Sequence, residues 1–134
     1  MSEDHGWEKW MNLPHARARL LRLLAAEGAT GVILASGDRH KAELSMMDGG
    51  LGYPLYELTA SGLNQGFRRW YWFEANRHRV NVMRWGDSFG MIEVRWADSD
   101  PQIRLEARYA DGSVAFSHRL RLSTLQPGAL PPRE

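Results

Sequence analysis

The chain has no cysteine among its 134 residues. That excludes disulfides, thiolate metal ligands and a cysteine nucleophile, and leaves the redox compartment open. It also has no run of about 18 apolar residues, so no segment reads as a membrane-spanning helix. Charge of one sign is missing too: 17 basic against 16 acidic residues leave a net charge of +1. Such a balance argues against a global attraction to nucleic acid or to an anionic membrane. The start, Met1-Ser2-Glu3-Asp4-His5, is acidic and polar and lacks the pattern of a signal peptide. Internal repeats, low-complexity blocks and linkers are absent.

What remains is ordinary for a globular domain, at 43% hydrophobic and 25% charged residues. The length fits one domain with a real core. Six tryptophans require a large apolar surface to pack against.

The apolar spacing predicts a helix from Leu13 to Glu27, capped by Asn12, with Pro14 in its first turn and Gly28 at its stop. Leu20, Leu21, Leu23 and Leu24 would form its buried stripe, leaving Arg17, Arg19 and Arg22 wet. Gly31-Val32-Ile33-Leu34-Ala35 is a continuous apolar run and predicts a strand covered on both faces. Leu55 to Ala60 predicts a second strand. From Arg79 onward the pattern alternates, with strands expected at Arg79–Trp85, Phe89–Ala97, Gln102–Ala110 and Ser113–Leu122. Gly86-Asp87, Asp98-Ser99-Asp100-Pro101 and Asp111-Gly112 are the turns between them. The fold class is therefore α/β, ending in an antiparallel meander with one buried face. Gln126 to Glu134, with three prolines, reads as a loose tail.

The chemistry concentrates in Ser36-Gly37-Asp38-Arg39-His40, at the carboxyl end of the apolar strand, where ligands gather in open α/β sheets. Gly37 would let the chain turn steeply. On an extended segment Asp38 and His40 would leave on the same side, and a carboxylate beside an imidazole suits zinc, iron or manganese. Arg39 would point elsewhere, into an ion pair or to solvent.

Several segments in order resemble the C-terminal portion of the PhoD-like alkaline phosphatases, a branch of the calcineurin-like metallophosphoesterases. They are Gly6-Trp7-Glu8-Lys9-Trp10, Pro14-His15-Ala16-Arg17-Ala18-Arg19-Leu20-Leu21, Leu34 to His40, Ala42-Glu43-Leu44-Ser45, Tyr53 to Leu63, and Asn76-Arg77-His78-Arg79-Val80 before Phe89-Gly90. The likeness covers roughly Gly6 to Leu122. It implies that residues 1–125 form the C-terminal half of a two-sheet metallophosphoesterase sandwich, with 126–134 as a Pro-rich tail. It implies hydrolysis of phosphate esters by metal-activated hydroxide at a two-metal centre of iron, calcium, manganese or zinc. Asp38 and His40 match the family's last metal motif, which makes both ligands and His40 catalytic. The family's earlier ligand motifs have no counterpart here, so the resemblance implies a fragment, inactive alone: a truncated product, a downstream start, or one piece of a split protein whose N-terminal half is a separate chain. Related proteins are often exported, and this chain shows no signal peptide for it.

Other residues admit two readings. Glu43, three residues after His40, is either an acceptor that orients it or a surface carboxylate. Ser61 and Asn64 follow a strand end and would face a phosphate or simply make a turn. His118 alternates with apolar residues and reads as a core histidine rather than a ligand; His5 and His15 read as solvated. The segment from Phe67 to Trp85 interleaves aromatics with arginines. It reads mainly as packing, and alternatively as an interaction module for a partner or single-stranded nucleic acid.

Overall fold

A computed structural model describes residues 3–66, 74–83 and 85–129. Helix α1 spans Pro14–Ala26. The strands are β1 Ile33–Ser36, β2 Ala42–Asp48, β3 Pro54–Ala60, β4 Arg79–Val82, β5 Ser88–Arg95, β6 Gln102–Tyr109 and β7 Val114–Arg121. Short 3-10 turns, Trp10–Asn12 and Leu122–Leu125, precede α1 and follow β7. The protein is α/β, with a four-stranded sheet in the order β1-β3-β2-β4 and a three-stranded sheet β5-β6-β7. β1 runs parallel to β3, whereas β2 is antiparallel to both β3 and β4. The second sheet is the expected antiparallel meander.

Proline opens α1, because its missing N–H costs nothing at that position. Asn12 does not cap the helix: Leu13 occupies the N-cap without a side-chain bond, and the Asn12 amide donates to the Trp7 carbonyl at 3.5 Å. Gly28, at φ 59°, ends it. The expected buried stripe forms only in part. Leu21 and Leu24 pack against the core, but Leu23 stays exposed and no residue of α1 is fully buried.

Two strand expectations need correction. Gly31–Ala35 reads as a strand covered on both faces, yet Val32, Ile33 and Leu34 are only half-buried, and β1 lies at the sheet's edge. Among the described residues no strand pairs with its other side. β2 is a strand missing from the sequence expectations, although every second residue from Lys41 to Ser45 is polar. In the sheet that alternation is the point: Ala42 and Leu44 face the core, while Lys41, Glu43 and Ser45 share the opposite face. The register Glu43↔Thr59, Ser45↔Glu57 and Ser36↔Thr59 makes that opposite face polar across three strands. α1 covers its other end, where the Arg17 guanidinium lies 3.3 Å from the Met47 sulfur.

The core fills the space between the sheets. Leu44 and Leu58 of the first sheet belong to one buried cluster with Ile103, Leu105, Ala107, Phe116 and Leu120 of the meander. His118 shares the meander's inner face with Phe116 and Leu120, and its ring lies 5.2 Å from that of Tyr56. It is a packing residue, with a pKa pushed down by burial. Tyr53, fully buried, donates its hydroxyl to the Ala29 carbonyl at 2.7 Å. The meander's apolar face is incompletely covered: Ile92 is 44% and Trp96 72% exposed. No helix of the described residues is long and apolar enough to cross a membrane.

Gly90 sets the distance between the sheets. A Cβ there would lie 2.8 Å from Cβ of Ala60 and 3.3 Å from the Leu58 side chain. Gly90→Ala is therefore expected to destabilise the fold by about 1–3 kcal/mol through overpacking. Urea unfolding measures it, and an unchanged midpoint would refute close packing of β5 on β3.

Candidate functional site

Pairing of Ser36 with Thr59 and of Ala42 with Ala60 brings the ends of β1 and β3 and the start of β2 to one edge of the sheet. Residues 37–41 join β1 to β2 there. They are not extended. Asp38 and His40 both adopt left-handed backbone, at φ 59° and 52°, whereas Gly37 does not. The expectation of an extended Asp-Arg-His with Gly37 as the pivot is thus overturned. The reason is steric: the chain must reverse within five residues to enter β2 antiparallel to β3. Asp and His tolerate this conformation better than most residues, but such strain persists only where its surroundings enforce it.

Two anchors enforce it. The Ser61 hydroxyl oxygen, from the loop after β3, accepts the backbone N–H of Arg39 at 2.7 Å and that of His40 at 3.0 Å. The side chains of Arg39 and Lys41 reach the carboxylate of Glu74, Arg39 at 2.6 and 2.7 Å and Lys41 at 2.8 Å. Lys41 also donates to Glu43 at 2.9 Å. Glu43, only 3% exposed, further accepts Arg79 at 2.9 and 3.0 Å and the Asn76 amide. Burial by itself would push the Glu43 carboxyl up, but Lys41, Arg79 and Asn76 outweigh it and hold it below the ordinary value. The same balance, with Lys41 and Arg39 as donors, lowers Glu74.

His40 carries the most informative bond. Its Nδ1 lies 3.0 Å from the Gln65 carbonyl oxygen. A carbonyl only accepts, so Nδ1 holds the proton and Nε2 is the basic nitrogen. Asp38 is exposed on the same loop.

The loop borders a cavity of about 720 Å³ whose lining includes Asp38, His40, Glu43 and Thr59. Its opposite wall is the segment before α1, with Trp7, Trp10 and Leu13. That segment is tied down by charge. Asp4 pairs with Arg77 at 2.7 Å and Glu3 with Arg17 at 3.0 Å. His5, expected to be solvated, is 8% exposed, and its Nδ1 accepts Arg39 Nη1 at 2.9 Å. Desolvation, reinforced by the charge of Arg39, lowers its pKa.

The structure thus places Asp38, His40 and Glu43 around one cavity. Glu43 binds Lys41, Arg79 and Asn76. The Ser61 hydroxyl holds the loop backbone, and Asn64 is exposed on the turn after β3, outside the cavity lining. Arg39 is ion-paired with Glu74, one of the two fates expected for it. Of the aromatic-basic segment, residues 67–73 and 84 lie outside the described residues. Its described arginines pair with acids, Arg77 with Asp4 and Arg79 with Glu43. Sequence reasoning missed Glu74, which carries no motif and meets the loop only through the fold. The alternation Lys41, Glu43, Ser45 around Ala42 and Leu44 was a legible sign of a strand with one polar face.

Asp38 and His40, the two ligands that the sequence suggested, are joined by no third ligand on this loop. Among the described residues no group of three His, Asp or Glu side chains is disposed to hold an ion, and catalytic zinc takes three protein ligands as a rule. No family model, curated protein or solved structure matches this chain.

The buried carboxylates make stability depend on acid in a defined direction. Glu43 has a folded-state pKa below its ordinary 4.5, so its contribution is complete above that value and disappears as pH falls through the lowered one. Glu43→Gln should lose about 3 kcal/mol at neutral pH, because Lys41 and Arg79 lose their counter-charge. Its loss of stability on acidification should be shallower than that of the parent. Urea unfolding across that range tests both, and identical pH profiles would remove Glu43 from the account.

Proposed function

We propose that this chain contributes one metal-binding loop to a metal-dependent phosphoric ester hydrolase of the PhoD-like kind. Asp38 and His40 are its ligands, and His40 is the residue on which turnover depends. The carrying observation is the bond from His40 Nδ1–H to the Gln65 carbonyl. It fixes the tautomer that presents Nε2 to an ion, the arrangement in which metal-binding histidines are held. The exposed carboxylate of Asp38 on the same loop, the position at strand ends beside a cavity, and the likeness of Leu34 to His40 to a phosphoesterase metal motif support the same reading.

When bound, iron, manganese, zinc or calcium ions would polarise a phosphate ester and lower the pKa of a water. The chain's own part is to hold two ligands rigidly, through Ser61, Arg39 and Lys41, and to offer a polar sheet face beside them. The remaining ligands have to come from another polypeptide segment. The purified chain alone should bind metal weakly and turn over phosphate esters near background.

The test is hydrolysis of a chromogenic phosphomonoester and diester with each added metal, alongside calorimetric titration with Mn²⁺ or Zn²⁺. His40→Ala and Asp38→Ala should each weaken metal binding at least tenfold. Binding unaffected by both would end the metal reading. Robust turnover by this chain alone that is lost in His40→Ala would instead show a site that needs no further ligands.

A further inference from the structure

We propose that residues 3–12 form a strap, held by charge, that closes the cavity over the polar face of the first sheet and opens without unfolding the domain. The inference is independent of the metal-binding reading of the loop. It begins with what the segment leaves unburied. Trp7 is 57% and Trp10 49% exposed, and Met11 and Leu13 are exposed as well. Among the described residues none of these four packs on the apolar core, so burial of apolar surface does not hold the segment down. Charge does. Asp4 accepts the Arg77 guanidinium at 2.7 Å and its backbone N–H at 3.2 Å. Glu3 accepts Arg17 at 3.0 Å and lies 3.6 Å from Nε2 of His78. His5, the one buried residue here, is seated on Arg39. Lys9 donates to the His5 carbonyl, which ties the segment to itself.

Beneath the strap lies open space. The cavity of about 720 Å³ separates it from Ser36, Ser45 and Thr59. These hydroxyls are already bonded, Ser36 to Thr59 at 2.9 Å and Ser45 to Glu43 and Asn76, so water reaching them costs little. The strap's far end is fixed, because it runs into α1, which packs on the core through Leu21 and Leu24. Lifting the strap therefore breaks ion pairs and little else, and exposed pairs are weak and screened by salt. Such a strap would gate the entry of a polar solute to the sheet face.

The experiment uses the absence of cysteine, which makes one introduced thiol unique. Thr59→Cys places it on the cavity floor, where Thr59 is 8% exposed. N-ethylmaleimide is uncharged, so its own approach does not follow salt. Alkylation of the full chain should run at least threefold faster in about 1 M NaCl, where the Debye length is about 3 Å, than in dilute buffer. Adding Glu3→Gln and Asp4→Asn should accelerate it roughly fivefold in dilute buffer, and salt should then add little. The reversed pair Asp4→Arg with Arg77→Asp should restore part of the slow rate. A thiol at the exposed turn residue Ser99, Ser99→Cys, should respond to none of these. If Thr59→Cys fails to fold, Ser36→Cys, its hydrogen-bonded neighbour on the same floor, takes its place. A rate unchanged by both salt and charge removal would overturn the proposal. So would a rise accompanied by loss of the far-ultraviolet circular dichroism, since the sheet itself would then be opening. Metal binding plays no part in either outcome.

Discussion

A carboxylate on a strand in the interior, Glu43, demands compensation, and the arrangement of the site follows from meeting that demand. An unpaired buried carboxylate would cost several kcal/mol. Lys41, Arg79 and Asn76 converge on it from the end of the loop before β2, from β4 and from the turn before β4. In doing so they fasten the edge strand β4 to β2 and orient the entry to β2. Lys41 passes the constraint onward through Glu74 to Arg39, and Arg39 passes it to His5 of the N-terminal segment. One chain of charge-assisted bonds thereby links the sheet, the loop and the cavity's far wall.

The loop gains from that rigidity. Two non-glycine residues in left-handed backbone within three positions form an arrangement costing about 1–3 kcal/mol each. It is held because Ser61 satisfies the backbone from one side while Glu74 grips the side chains from the other. Arg39 and Lys41 anchor the loop through Glu74, while Asp38 is exposed and His40 bonds the Gln65 carbonyl. The Gln65 carbonyl completes the arrangement by deciding which nitrogen of His40 carries the proton.

The two faces of the first sheet are unlike for the same reason. One packs on the meander through Ala42, Leu44 and Leu58, with Gly90 permitting close approach. The other is apolar under α1 and polar at the cavity. β1 contributes apolar residues to both faces but sits at the edge, and α1 packs on the core through Leu21 and Leu24 without burying a single residue of its own fully. Its continuous apolar character therefore exceeds the cover that it receives among the described residues.

The sequence by itself determined α1, the strands β3 and β5 to β7, and the placing of Asp38 and His40 at a strand end. Each rests on a local signal: helical spacing, alternation, or glycine and aspartate at turns. It pointed to packing for His118, whose neighbours on one strand face are apolar. Only the tertiary structure decided that β1 is an edge and that β2 lies between β3 and β4, since strand order is set by partners distant in sequence. It alone made Glu43 a buried hub, withdrew His5 from solvent, and brought in Glu74 from 33 residues beyond Lys41. Periodicity along a chain reports which face of an element is apolar. Which charges meet across that face depends on register and loop closure, and these exist only once the strands have paired.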